Sequence, residues 1–301
     1  MRVALVSHGA RVRGALGTRI ERLVAVAAPG STAYRTAAPG ETASLVHRAL
    51  AAGAKRIVVA GGDGTVHEAA NALFGTQAEF AVIPAGSGND YARSLGTPVD
   101  IEAAVAFAIA QTALPTDAGE IVCTDGNGSS VRRIFVNMAE AGFGASVVTH
   151  SRTTVRFAPP WLAYQAAILA ALVTLRSNAL TLSADGQPAS RFSSTNLIVA
   201  LGQYFGAGLR PLPDARLDDG LFDVAHIRDA SRLDIARHAP MLKNGIPPGH
   251  PKVDRFRCRT LHLASPARVP VEADGELVGS LPATLRVLPA GLQVVRKPSA
   301  A

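Results

Sequence analysis

The apolar residues of this chain fall in short clusters whose rhythm changes near Asp117. Before that point, strand-like runs alternate with segments of helical period. Val3 to Ser7 reads as a buried strand, Leu16 to Val26 as a helix, and Glu41 to Ala52 as a helix closed by Gly53. Ile57 to Ala60 and Phe80 to Ile83 are again strands, and Ile101 to Gln111 is a helix. Such alternation implies right-handed crossovers and a parallel sheet. Beyond Asp117 the pattern is one of short apolar runs: Ile134 to Met138, Ala179 to Ser183, Asn196 to Leu201, Phe222 to Ile227, Thr260 to Ala264 and Val269 to Glu272. Clusters of Gly, Pro, Asp and Ser separate them, which predicts a mostly β region. The final run, Leu285 to Val295, is long enough for a strand or hairpin that returns to the first domain. The expectation is an α/β N-terminal domain with a parallel sheet over residues 1–118, completed by 289–301, and a mostly β, sandwich-like C-terminal domain over 119–288.

One stretch departs from both rhythms. Phe157 to Leu175 carries no charge between Arg156 and Arg176. Pro159 and Pro160 belong at or before a helix start, which leaves about fifteen helical residues, or roughly 22 Å. A bilayer core needs about 30 Å, so a buried or interfacial helix is expected rather than a spanning one. The opening MRVALVSHG is too short in its apolar run for a signal peptide and reads as the first strand.

The 301 residues suit two domains, and 48% apolar with 18% charged residues indicates ample burial and little disorder. Cys123 and Cys258 lie far apart without metal-type spacing, which fits packing roles in a reducing compartment. The net charge of +7 rests mainly on arginine, since Lys55, Lys243, Lys252 and Lys297 are the only lysines. A basic balance favours anionic partners without choosing among them. Arg11, Arg13, Arg19 and Arg22 are spaced like a solvated face rather than a groove-reading helix, so nucleic acid is not an expected partner.

Candidate chemistry concentrates in two turns. Ile57 to Ala60 runs into Gly61-Gly62-Asp63-Gly64-Thr65 and then into a helix from Val66. Glycines at a strand-to-helix junction let the backbone approach an anion, and the free amides of the helix start face it. Asp63 would repel phosphate unless a cation stood between them, which suggests Mg2+ and a nucleoside triphosphate. A Gly-rich turn with an Asp cap is the structural alternative. Ile83 to Gly96, IPAGSGNDYARSLG, repeats the plan: Pro84 ends a strand, Gly86 and Gly88 free the backbone, and Ser87, Asn89 and Asp90 stand at the next helix start. Two such loops on neighbouring strands would converge as the walls of one phosphate site.

These motifs resemble those of the diacylglycerol kinase catalytic family of lipid kinases, and the similarity runs over nearly the whole chain. GGDGTVHEAANAL and IPAGSGNDYARSLG match the family's two nucleotide-site motifs, and Pro115-Thr116-Asp117 resembles its domain junction. FVNMAEAGFGASV, PDARLDDGLFDV and VEADGELVG match motifs of the second domain. Nicotinamide dinucleotide kinases and phosphofructokinases share GGDGT but lack GSGND combined with a late DGE. The resemblance implies ATP-dependent phosphorylation of a lipid hydroxyl between the domains. Gly62, Asp63, Gly64, Thr65 and Glu68 would line the nucleotide with Ser87, and Thr36 would open a Thr-x-x-x-Gly nucleotide contact. Glu276, in Asp274-Gly275-Glu276, stands where the family has its proton acceptor, as attack of an alcohol on a γ-phosphoryl group requires. Asp274 or Asp90 would be the next candidates for that base. Asp219 and the carbonyl of Leu221 match a structural Mg2+ site whose third ligand aligns with Arg216, able to offer only its own carbonyl.

The chain departs from the family in its first loop. Ser7-His8-Gly9-Ala10-Arg11 replaces the usual Asn-Pro-x-Ser-Gly, leaving Ser7 and Arg11 or Arg13 to meet phosphate. His67 replaces a frequent Asn and is expected at the adenine side or the surface. The expected setting is the cytoplasm, peripheral to an anionic membrane, with a lipid substrate whose chains border Trp161, Leu162, Ile168 and Leu172 and with a homodimer as an option. A lipid-binding relative without catalysis and a kinase of a soluble metabolite are the rival readings. Retention of Asp63, Asp90 and Glu276 argues against the first, and the apolar Trp161 to Leu175 segment against the second.

Overall fold

The computed structural model describes residues 1–153 and 160–299, and the side chains of 1–151 and 165–299. The N-terminal part runs β1 (Val3–Ser7), α1 (Gly14–Ala27), β2 (Thr32–Arg35), α2 (Thr42–Ala51), β3 (Arg56–Gly61), α3 (Asp63–Leu73), β4 (Glu79–Pro84), α4 (Asp90–Ser94) and α5 (Ile101–Ala110). β1 pairs in parallel with β2 and β3, and β3 with β4. The apolar strands are buried on both faces, as a sheet covered by helices on each side requires. Ile20 and Val24 of α1 and Ala104 and Val105 of α5 close one face over Leu5, Val58 and Ile83. Leu45, Val46, Ala69 and Leu73 of α2 and α3 join the core on the other face. β2 escapes the sequence reading because its four residues form an exposed edge with no apolar run.

The second part contains β5 (Ala113–Thr124), β6 (Ser130–Phe135), β7 (Met138–Gly142), α6 (Phe143–Thr153), α7 (Pro160–Val173), β8 (Asn178–Ala184), β9 (Ser190–Ala200), β10 (Phe222–Arg228), α8 (Arg232–Asn244), β11 (Val253–Cys258), β12 (Thr260–Ala264), β13 (Pro270–Ala273) and β14 (Glu276–Val295). Apart from the parallel contact of β14 with β4, the pairings of these strands are antiparallel. The run Ile134 to Met138, read as one strand, is split between β6 and β7. The amides of Val136 and Asn137 leave the ladder to donate to Asp274, which breaks the strand.

β14 joins the two parts. Its 20 residues pair with β13, β12 and β5, and its last turn of sequence adds to the first sheet beside β4, Gln293 opposite Glu79 and Val294 opposite Phe80. Fourteen described strands thereby form one connected hydrogen-bonded network. Cys123 and Cys258 are both buried and free. The 14 residues of α7 bury Ala167 and Ala171 against Val147 of α6 while Leu169 and Val173 stand 64% and 69% exposed. No helix among the described residues is long and apolar enough to cross a membrane. The side chains of Trp161 and Leu162 lie outside the described residues, as does the stretch 154–159 at the start of the uncharged segment.

Candidate functional site

In the register of β3 with β4, Gly61 lies opposite Pro84, so the two glycine turns leave the sheet side by side. They touch backbone to backbone. A Cβ on Gly86 would lie 2.4 Å from the Cα of Gly62, and one on Gly62 would lie 3.1 Å from the Cα of Gly86. Any side chain at position 86 would therefore push the loops apart. Asp63 then stitches them: its carboxylate accepts from the amides of Asn89 at 2.8 Å, Asp90 at 2.8 Å and Tyr91 at 3.3 Å. Asn89, at φ +56°, folds its side chain onto both the amide and the carbonyl of Gly86. Burial raises the Asp63 carboxyl pKa, with the three amides working against it. Asp90 is pushed up to about 6, first by burial and then by the charge of Asp63, although the amides of Ala207 and Gly208 donate to it at 2.9 and 2.8 Å. Two buried carboxyls this close are a place where a cation would be stabilised: Oδ2 of Asp63 and Oδ2 of Asp90 would both crowd a Cβ on Gly88, at 2.7 and 3.2 Å.

The other predicted nucleotide residues surround this turn. Thr65 is buried beneath Gly61, whose Cβ would strike it at 2.7 Å. Glu68 accepts from the Thr42 amide at 3.2 Å, holding the start of α2. Thr36 accepts from the Gly9 amide at 2.9 Å. Gly9 is required there, since a Cβ would fall 1.8 Å from the Thr36 carbonyl oxygen. Ser7 is fully buried and donates to the Tyr34 carbonyl at 3.3 Å, so its hydroxyl is a strut of β1 and not a phosphate donor. Arg11 and Ser87 face a large cavity described below.

Glu276 arrives from the far end of the chain. The hairpin of β13 and β14 places its Oε1 3.3 Å from the Cβ position of Gly64, at the first turn of α3. Asp274, at φ +52°, does not act as a free carboxylate. It accepts from the amides of Val136, Asn137 and Met138 at 2.9, 2.9 and 3.1 Å and faces His67 Nδ1 at 3.0 Å. That set of partners removes it from the list of candidate bases. His67 is likewise buried, not on the surface. Burial works to lower the imidazole pKa, but the hydrogen bond and charge of Asp274 outweigh it and the pKa ends raised. Asn71 adds a pair of hydrogen bonds to the backbone of Ile134, so α3 is clamped to the β-rich part by two side chains one turn apart.

The predicted Mg2+ ligands sit apart from this turn. Asp219 accepts from the Leu221 amide at 3.1 Å with Oδ1, and Oδ2 is held by Arg257. A guanidinium thus already supplies positive charge to the one carboxylate of the set, and a cation there would have to displace it. Arg216 is half-buried and its charge reaches Asp218. Asp117 accepts from Gly220 and Ala290 at 2.7 and 2.9 Å, and its pKa is raised by burial and by the charges of Asp219 and Asp218. No cluster of three or more His, Cys, Asp or Glu side chains suited to a metal occurs among the described residues.

A cavity of about 1020 Å³ opens beside the two turns, and it was not foreseen as a shape. Asp63, Ser87 and Asp90 of the turns are among its lining residues. Val147, Ile168 and Leu172 of α6 and α7, Ile198 of β9, and Ile235 and Leu242 of α8 supply apolar lining. Its size reaches the upper end of ordinary ligand pockets. α8 is absent from the sequence reading because it buries no residue fully and lacks an apolar stripe. Its signal was at its start: Ser231 and Asp234 form a reciprocal capping box.

Comparison with known proteins agrees over both parts of the chain. Residues 7–121 match the diacylglycerol kinase catalytic domain, and residues 137–296 match the YegS C-terminal NAD kinase beta sandwich-like domain. A diacylglycerol kinase of Mycobacterium tuberculosis is 33% identical over 298 residues, 97% of this chain and 92% of that protein. A probable lipid kinase YegS-like of Pseudomonas aeruginosa is 33% identical over 270 residues, 86% of this chain and 85% of that protein. Among solved structures, a putative diacylglycerol kinase of Bacillus anthracis superposes with a TM-score of 0.79 at 21% identity, covering 99% of this chain and 97% of that one.

Proposed function

The chain belongs to the diacylglycerol kinase catalytic family and is a lipid kinase, a phosphotransferase with an alcohol acceptor and ATP as donor, and from that premise we propose that it phosphorylates a lipid hydroxyl where the apolar cavity meets the two glycine turns. The observation that carries this reading is that Ser87, Asp63 and Asp90 belong both to the turns and to the cavity lining. Acyl chains lie along Val147, Ile168, Leu172 and Leu242, and the headgroup hydroxyl points toward the turns. The reading assigns ATP to residues 1–118 with 289–301 and the acceptor to 119–288.

The turns act by position and charge. Gly62 and Gly64 keep the backbone bare, the free amides at the start of α3 face the phosphates, and Thr65 with Ser87 supplies hydroxyl donors. Thr36 and Glu68 fix the first loop and α2 around the nucleotide. Glu276 accepts the proton of the acceptor hydroxyl, which it reaches from above Gly64. Asp63 and Asp90, whose Oδ2 atoms both approach Gly88, fit Mg2+, which would neutralise phosphate charge when bound. The Asp219, Leu221 and Arg216 set fits a cation only if the Arg257 pair opens. The absence of a second donor at Ser7 leaves Arg11, on the cavity wall, as the side chain of the first loop available to phosphate.

The outer faces of the cavity helices support contact with a membrane surface. Leu169 and Val173 of α7 are exposed, and Leu233 of α8 is 74% exposed close by, since Arg232 donates to the Val173 carbonyl at 2.6 Å. These side chains suit insertion among lipids beside a cationic surface. The test is incubation with labelled ATP, Mg2+ and fractionated lipid acceptors. Label is expected in a lipid product. Label appearing only in water-soluble products would remove the reading.

A further inference from the structure

Two buried acids in the cavity wall are unused by this mechanism. Glu140 on β7 and Glu272 on β13 lie directly opposite each other in the antiparallel register. Both line the cavity and are only 5% and 4% exposed. Side chains opposite one another on paired strands have Cβ atoms about 4.5–5.5 Å apart, and like charges there repel. An ordinary acyl-chain pocket has no use for such a pair, because burying a carboxylate without a partner is costly.

The pair is built into the fold. Asn196 accepts from the Gly144 amide at 3.1 Å, which turns its NH2 toward Glu140, and it donates to Glu140 Oε1 at 2.8 Å. Gly144 leaves room for the carboxyl, since a Cβ there would fall 2.1 Å from Glu140 Oε2. Glu272 Oε2 accepts from the Gly275 amide at 2.7 Å, in the hairpin turn that leads to Glu276. One oxygen of each carboxyl, Oε2 of Glu140 and Oε1 of Glu272, accepts no hydrogen bond among the described residues. Burial pushes Glu140 up to about 7, and burial with the charge of Glu140 raises Glu272 well above the carboxylate range. Further acidic groups, Asp274 and Glu276, raise Glu272 more.

Resting on the lipid kinase reading of this cavity, we propose that Glu140 and Glu272 form a headgroup subsite that selects acceptors carrying a hydrogen-bond-donating group next to the hydroxyl to be phosphorylated. The raised pair holds a proton near neutral pH, and its remaining oxygens still accept, so the complementary ligand atom for them is an O–H or N–H. Glu276 lies within electrostatic reach of Glu272, so one headgroup can present its reacting hydroxyl to the first and its second polar group to the pair. A second hydroxyl donates to one free oxygen, and an ammonium can donate to both and offset the charge that forms when the pair loses a proton. A diacylglycerol, with its one hydroxyl committed to the reaction and two esters that only accept, brings no second donor to the pair.

The test is equilibrium binding of radiolabelled acceptors in mixed micelles without ATP, using a monoacylglycerol, a long-chain amino alcohol and a diacylglycerol of matched chain length. The wild-type protein is expected to bind at least one donor-bearing lipid about tenfold or more tightly than diacylglycerol, the scale of one hydrogen bond to a charged group. Which of the two it prefers separates the hydroxyl from the ammonium. Glu140→Gln and Glu272→Gln should bring that ratio close to one while the melting temperature is held or raised, because each replaces a buried ionisable group by a neutral isostere. Equal binding of the three lipids by the wild type, or a ratio unchanged in both variants, would overturn the subsite. Should one variant fail to fold, the wild-type series and the other variant still decide. Loss of the kinase reading is separately visible: discrimination in binding would persist with no label transferred from ATP to any lipid.

Discussion

The glycine turns and the cavity meet at Asp63, Ser87 and Asp90, yet they are built on opposite principles. The turns are packed backbone against backbone, and Asp63 alone holds three amides of the neighbouring loop. The cavity is walled by α7 and α8, which present side chains to a void and expose Leu169, Val173 and Leu233 on their other faces. One region has no room for a side chain at Gly86, and the other encloses open volume. Phosphoryl transfer needs both, since reacting phosphates demand fixed donors while acyl chains demand only volume and water exclusion.

The largest expected effect lies on the rigid side. Glu276→Gln keeps size and most hydrogen bonding but removes the base, so turnover should fall by roughly 10² to 10⁴ with ATP affinity retained. Calorimetry of nucleotide binding beside turnover on one lipid checks it. Loss of ATP binding together with activity would make Glu276 a structural residue of the Gly64 contact.

Next comes a direct contrast of the two regions. Asp63→Asn replaces an acceptor by an amide whose NH2 would face the amides of Asn89 and Asp90, so it should cost about 1–3 kcal/mol of stability in addition to roughly a hundredfold or more in rate. Leu172→Ala, on the cavity wall, should instead raise KM for lipid with a smaller change in melting temperature. Denaturant unfolding and steady-state kinetics on both variants decide. A Leu172→Ala protein destabilised as much as Asp63→Asn would show that the cavity wall is as tightly packed as the turns.

The smallest effect is a dependence on pH. Asp90, Glu140 and His67 all have folded-state pKa values raised above their ordinary ones, to about 6 for Asp90 and about 7 for Glu140. Each binds protons more tightly when folded, so its stabilisation is complete below the unfolded pKa and is lost as pH rises through the folded value. The two carboxyls act between about pH 4 and 7 and His67 above about 6.5. Melting temperature should therefore fall from pH 5 to pH 8 by a few degrees, about 2–4 °C for each kcal/mol lost. Glu140→Gln should flatten the acidic half of that curve. A melting temperature that rises over the same range would contradict the assignment of these raised values.

The turns were legible in the sequence because their chemistry is local. GGDGT and GSGND each place glycines, acids and a helix start within a few residues, and Leu285 to Val295 was long enough to announce a strand that reaches back to the first domain. The partners of those residues were not legible. Nothing in VHEAAN says that His67 will meet Asp274, 207 residues away, and nothing in LDDG says that Arg257 will hold Asp219. The run Ile134 to Met138 read as one strand because its apolar pattern is continuous, whereas the break is imposed by a distant carboxylate. The pairing of Glu140 with Glu272 depends on strand register, and α8 on a void it borders rather than a core it fills. Composition and spacing along the chain thus determined the family, the order of the main elements and the two glycine turns, because backbone conformation and periodicity act over a few residues. Only the tertiary structure decided which carboxylates are occupied, where the cavity opens and which acids face it, because those depend on side chains brought together by strand pairing across most of the chain's length.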